Sequence, residues 1–208
     1  MTEGLARLEI KRLTGDEPFT DNGAATDFSV RDFWQWASSD LVVNLVRGLV
    51  AEFLVAKALG LADGVRDPWQ PYDLKTNGGL TIEVKSAAYL QTWWQRTHTD
   101  IWFTARATRA WDPNTNELAP SRRWQADIFV FALLHHRNKQ TVDPREINQW
   151  EFYVVPTKAL AQRAGAGQQL SLKSIQKIQS KPVNYRNLSG AIHTLEIDKG
   201  WQSAGDTE

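Results

Sequence analysis

Pro71-Tyr72-Asp73-Leu74-Lys75-Thr76-Asn77-Gly78-Gly79-Leu80-Thr81-Ile82-Glu83-Val84-Lys85 reads as two short strands folded about a glycine turn. Asp73 and Glu83 are equidistant from Gly78. A three-residue loop at Asn77-Gly78-Gly79, a common glycine-containing hairpin length, sets these two carboxylates opposite each other on one face. Directly opposed Cβ atoms lie about 5 Å apart, and like charges there repel. Alternation brings Lys85 to the same face and turns Ile82 and Val84 to the other. Two close carboxylates beside an ammonium suit a hard cation, because oxygen ligands hold Mg²⁺. The other reading is a solvent-facing hairpin with a Glu–Lys pair, and a slip of one residue would part the acids.

Upstream, Ser38 or Ser39 is placed to cap a helix running to about Leu59 and stopped by Gly60. Leu45, Leu49, Ala56 and Leu59 trace one apolar stripe on it, with Glu52 in the middle. A carboxylate on a buried face is costly unless paired or bound to a cation. Glu52 therefore either joins the hairpin's acids, or snorkels to water or meets an arginine. Gly48, one turn earlier, removes a side chain and leaves room for a close approach.

Further along, Ile101–Thr108 and Glu151–Val155 read as strands, and Ala126–Leu134 as a strand covered on both faces. Asp112–Ser121 and His136–Asn148 read as polar loops. Pro156–Ala164 suits a helix ended by Gly165 and Gly167, and Ser171 caps a short helix to about Gln179. The expected organisation is a polar arm over residues 1–30, with a lead-in strand around Leu8 and Ile10. One domain follows over 31–201, then a polar tail over 202–208. The fold class is α/β in the mixed α+β sense: a central mixed sheet flanked by helices.

Composition narrows the functions. The absence of cysteine excludes disulfide scaffolds, thiolate zinc sites and cysteine nucleophiles. With 208 residues the chain is long enough to bury roughly 70% of its unfolded surface without such staples. The apolar stretch Leu41–Leu61 is interrupted by Asn44, Arg47, Glu52 and Lys57, so no membrane span is expected. Met1–Arg12 carries charges where a signal peptide has an apolar run, and a cytoplasmic location is the expectation. The formal net charge of zero hides an asymmetry: residues 105–187 hold 13 basic and 6 acidic side chains, enough to present a basic face to a polyanion. Ten tryptophans are scattered without period; such rings fill cores, or stack on sugars and unpaired bases.

Glu52 on a helix, then Pro71-Tyr72-Asp73, then Glu83-Val84-Lys85 after a short hairpin resemble the PD-(D/E)XK nuclease superfamily, with its restriction-endonuclease-like fold. The resemblance spans about residues 44–156. It departs from the usual pattern at Tyr72, which separates Pro71 from Asp73 where the family's proline commonly abuts its aspartate. The resemblance implies a Mg²⁺-dependent endonuclease acting on DNA, of the restriction, repair or mobile-element type, with Mn²⁺ able to substitute. It assigns Asp73, Glu83, the Val84 carbonyl and Glu52 to the metal, and Lys85 to the attacking water and the phosphate. Gln91 would join them if the strand ran on unbroken, since positions 83, 85, 87, 89 and 91 would then share a face; a helical turn over Ala87–Trp94 would remove it. Arg106, Arg109, Arg122 and Arg123 are candidate phosphate contacts, with surface salt bridges the plainer explanation.

Two other functions compete. A nuclease-like fold without turnover would bind nucleic acid or serve assembly, and a homodimer stays open in either case. A carbohydrate-binding domain or retaining glycosidase would use the tryptophans and two carboxyl groups about 5–5.5 Å apart. That last reading leaves Lys85 and the basic 105–187 segment without a role.

Overall fold

The computed structural model describes residues 5–164 and 167–205. Two strands, Pro18–Asp21 (β1) and Ala24–Ser29 (β2), lead into the helices Val30–Ser38 (α1) and Asn44–Ala58 (α2). Then come Leu74–Lys75 (β3), Thr81–Ala88 (β4), Trp102–Arg106 (β5), Trp111–Asp112 (β6), Glu117–Leu118 (β7), Ile128–Leu134 (β8) and Trp150–Pro156 (β9). Thr157–Ala164 (α3), Gly167–Ser171 (β10), Leu172–Gln176 (α4) and Tyr185–Gly205 (α5) complete the order. The fold is mixed α+β, as the pattern of apolar runs implies.

The central sheet has the order β3-β4-β8-β9. Its spine is β8, apolar and buried at every position, as a strand covered on both faces must be. β8 runs parallel to β4, with Val84 beside Val130, and antiparallel to β9, with Val130 beside Val154. A parallel pair needs a long crossover, and the segment carrying β5, β6 and β7 supplies it.

Alternation sorts the sheet's side chains into two layers. Ile82, Val84, Val130 and Val154 pack with Ala51, Leu54 and Val55 of α2 and with Leu188 and Ile192 of α5. On the other face Phe129, Phe131 and Tyr153 meet Phe103 and Leu170 of the antiparallel pair β5–β10, together with Leu160 of α3 and Ile175 of α4. The strand β3 is the sheet's outer edge on one side, and it is only two residues long. That leaves the adjoining edge of β4 open beyond Leu74, and the acidic residues lie there.

Several sequence expectations are corrected. The helix expected from Ser38 or Ser39 to Leu59 is two helices: α1 ends at Ser38, and α2 begins at Asn44 after a turn. In that turn the Asp40 carboxylate accepts from the Val42 and Val43 amides at 3.0 and 3.1 Å. The stripe Leu45–Leu49–Ala56–Leu59 faces the core only in its second half, for Leu45 is 76% and Leu49 40% exposed while Ala56 is buried and Leu59 packs against the core. Helix α2 is apolar on most sides, and the sheet takes the face with the smaller residues Ala51 and Val55, which allow close approach. The segment around Leu8 and Ile10 forms no strand; β1 and β2 form a hairpin closed by Asn22 and Gly23, both at positive φ. The interval 112–121 contains the second strand of the small β6–β7 hairpin. Helix α5 carries the chain past residue 201, so the tail is helical through Gly205, while residues 206–208, like Gly165, lie outside the described residues. Among the described residues, no helix is long and apolar enough to cross a membrane.

Phe131 sits at the centre of the second layer, fully buried, edge-on to Phe103 at 5.1 Å and stacked with Phe129 at 5.8 Å. Phe131→Ala should cost about 3–5 kcal/mol of stability. Urea unfolding checks this as a lower midpoint at unchanged slope.

Candidate active site

The hairpin forms in the register read from its sequence. Leu74 pairs with Ile82 and Lys75 with Thr81. The Thr76 amide donates to the Leu80 carbonyl at 2.9 Å and the Gly79 amide to the Thr76 carbonyl at 3.0 Å, so the loop is Asn77-Gly78-Gly79. Gly79 has a φ of 90°, a conformation that glycine adopts without strain.

At Asp73 the ladder stops. The Asp73 amide donates to the Ile82 carbonyl at 3.0 Å, the same residue that Leu74 already faces. Its side chain, in place of the next backbone carbonyl, accepts from the Val84 amide at 2.7 Å. Asp73 thus caps the open edge of β4 beside Glu83 instead of standing squarely opposite it. In a strand the amide and carbonyl of one residue project to the same side, so the Val84 carbonyl is turned toward this edge as well.

Lys85 follows Glu83 on the same face of β4, and its Nζ is ion-paired with Glu83 Oε1. Burial raises the Glu83 carboxyl above its ordinary range; Asp73 adds to the rise and Lys85 opposes it. Glu52 comes from α2, with its side chain only 14% exposed. Its partner is Arg66, in the loop between α2 and β3, which holds both carboxylate oxygens through Nε and Nη2, the latter at 3.0 Å. Arg66 Nη2 also lies 3.8 Å from Asp73 Oδ1. Burial raises Glu52 too, against the pull of Arg66.

Three carboxylates and two cations therefore share one centre, which carries one excess negative charge. The donor set fits a hard divalent cation: Asp73, Glu83 and the Val84 carbonyl are all oxygen ligands at one strand edge. Glu52 meets an arginine, one of the outcomes its place on the helix allowed, with the same guanidinium close to Asp73. Among the described residues no three His, Asp or Glu side chains sit together at metal-ligand spacing. Arg66 was not foreseen: a lone arginine in a loop has no spacing that marks it.

Gln91 is not brought to this face. β4 ends at Ala88, and Gln91 is buried with its Oε1 3.5 Å from Arg47 of α2. Arg106 does arrive: with Glu83, Lys85, Pro71, Thr104 and Thr108 it lines a cleft of about 270 Å³. The other three arginines lie along the base of the β6–β7 hairpin. Arg109 Nε donates to the Ala119 carbonyl, Arg123 Nε to Gln125 at 3.3 Å, and Arg122 is exposed. On the far side of the acids, Glu52, Arg66 and Asp73 border a second cleft of about 410 Å³ walled by Leu49, Phe53 and Tyr72.

No protein-family model matches this chain, and no curated protein matches it at a significant level.

Removal of Arg66 isolates the Glu52 carboxylate. In Arg66→Ala the desolvation that raises Glu52 above its ordinary 4.5 loses the opposing hydrogen bonds and charge of Arg66, and only the weaker pull of Lys85 is left against it. A carboxyl raised in the folded state favours folding while protonated, and that advantage is lost as pH rises through the folded value. The variant should match wild type near pH 4 and fall behind it by about 1–2 kcal/mol at pH 8, a figure reduced because Arg66 is half exposed. Urea titrations of both proteins at the two pH values check the gap; an equal gap at both would exclude Glu52 as its source.

Proposed function

We propose that the protein is a Mg²⁺-dependent endonuclease that cuts DNA, of the PD-(D/E)XK kind, acting in the cytoplasm. The observation that supports this most is the strand-edge centre. Asp73, Glu83 and the Val84 carbonyl adjoin one another, with Lys85 beside Glu83 at the mouth of a cleft that also holds Arg106. A solvated Glu–Lys pair alone explains neither the break in the ladder at Asp73 nor the burial of Glu83.

Asp73, Glu83 and Val84 would hold the cation, and the chemistry it supplies when bound is polarisation of the phosphoryl oxygen and neutralisation of the developing charge. Lys85 donates to a phosphate oxygen or orients the attacking water from beside Glu83. Arg106 binds a phosphate in the same cleft, and the exposed Arg109, Arg122 and Arg123 continue the contact along the strand. Arg66 keeps Glu52 ionised and oriented near Asp73. A second reading, a nucleic-acid-binding module without turnover, is favoured by one observation: among the described residues no third acid completes a metal-ligand cluster.

Cleavage of plasmid with Mg²⁺, with Mn²⁺ and with chelator separates the two. Lys85→Ala should leave DNA binding in Ca²⁺ nearly unchanged and lower cleavage by about 10² or more, whereas Asp73→Ala should weaken metal binding and cleavage together. Equal cleavage by wild type and Lys85→Ala would remove Lys85 from the mechanism, and no metal-dependent cleavage by wild type would favour the binding module.

The arginines give an independent expectation. If Arg106, Arg109, Arg122 and Arg123 meet four phosphates, the logarithm of the binding constant should fall with the logarithm of salt at a slope of about −3 to −4. Titration by fluorescence anisotropy between 50 and 200 mM salt, on wild type and on Arg106→Glu with Arg122→Glu, measures the slope; roughly half of it should be lost in the double variant.

A further inference from the structure

We infer that the nuclease-like site acts on DNA whose bases are unpaired next to the cut, because a tryptophan cleft beside the acids is shaped to take one exposed base. The inference rests on the reading of the centre as a nucleic-acid site and names the form of its substrate. The cleft, about 400 Å³, lies between Trp69 and Pro71 on one side and the β6–β7 hairpin with Trp111 on the other. Trp69 is 56% exposed, and its ring meets Trp111 at 5.2 Å and 62°, an edge-to-face contact that occupies one face of one ring.

The platform is preset. Trp111 Nε1 donates to Asn116 Oδ1 at 3.2 Å across the hairpin, and Asn116 sits at a φ of 60° to close the turn. Less freedom is then lost when a ring stacks there. Pro71 lines this cleft and also the cleft of Glu83, Lys85 and Arg106, so the two adjoin. Asp73 is two residues from Pro71, a span of at most about 7 Å. A base in the tryptophan cleft therefore belongs to a nucleotide close to the phosphate at the acids.

Charge decides which part of a nucleotide goes where. Asp112 and Glu117 are in the tryptophan cleft and repel phosphate, while Arg106, Arg109, Arg122 and Arg123 stand outside it in the strands and turns that flank the hairpin. The backbone is drawn to the arginines and the uncharged base to the indoles. A base within an intact duplex is stacked and covered, so it offers no face to Trp69. An unpaired base in a single strand or at a junction does.

The test measures binding in Ca²⁺ by anisotropy, and stacking by quenching of a 2-aminopurine base, with a single-stranded oligonucleotide and the same sequence as a blunt duplex. Wild type should bind the single strand more tightly. Trp69→Ala should weaken single-strand binding by about tenfold and abolish quenching, while leaving duplex binding unchanged. Trp69→Phe should restore most of both, which a purely structural role would not produce. Equal affinity for single strand and duplex in wild type, or single-strand binding indifferent to Trp69→Ala, would overturn the inference. Displacement of the oligonucleotide by a neutral oligosaccharide at this cleft would overturn it too. Mg²⁺-dependent cleavage of duplex by wild type and Trp69→Ala alike would keep the nuclease and sink the unpaired substrate. Trp69-dependent single-strand binding without any cleavage would keep the substrate form and sink the nuclease.

Discussion

The hydrogen bond from the Val84 amide to the Asp73 carboxylate is where sheet and site become one structure. An amide at the edge of a buried strand must find an acceptor, and β3 ends too soon to offer a backbone carbonyl. The carboxylate that fills the vacancy is fixed in place by a bond twice as strong as a neutral one. It is also fixed beside Glu83, whose burial and proximity raise its carboxyl. A complete hairpin would have satisfied Val84 with backbone and left Asp73 turned out of the sheet. The short edge strand thus exchanges one ladder bond for a charged centre with an open side.

Two arginines then keep α2 and its neighbours in register with that centre, by opposite means. Arg66 is half exposed and paired with a carboxylate, so its ion pair responds to pH and salt. Arg47 is buried and, among the described residues, has no carboxylate partner: its Nη groups donate to the Val42 carbonyl at 2.8 Å and to Asn44 Oδ1 at 2.7 Å, and its Nε finds no acceptor among them. Burial lowers its pKa to about 10, so it stays charged at neutral pH. Carbonyl and amide dipoles replace water around that charge and tie the first turn of α2 to the segment after β4. Gln91 is consumed in this contact, which is why it does not follow Lys85 onto the active face.

What was legible in the sequence follows from the range of the interactions involved. The hairpin register depended on a glycine turn and on residues a few positions apart, and local spacing is sufficient for that. The buried β8 announced itself by a run with no polar residue. Glu52 was half legible: its place on a helix and its burial were clear, but α2 is apolar on nearly every side, so periodicity named a stripe whose first half is exposed. Arg66 and Arg47 were not legible, since each acts across a loop or a layer that only the fold closes. The Asn22-Gly23 turn was a readable hairpin signal, obscured because β1 and β2 are exposed and lack an apolar alternation. Helix α5 mixes apolar and charged residues without a sustained stripe, and its role in covering the sheet rests on Leu188 and Ile192.

The interposed Tyr72 also has a physical account. Pro71 lines the cleft that holds Glu83 and Lys85, and Tyr72 lines the other, with Leu49 and Phe53 of α2. Asp73 follows on the same side as Tyr72. Pro71 also lines the tryptophan cleft, so it forms part of the wall that the acid cleft and the tryptophan cleft share. Tyr72 meanwhile presents a large aromatic to the cleft beside α2. The centre is thus bordered by clefts on both sides, one holding Arg106 and the other walled by Leu49 and Phe53 of α2.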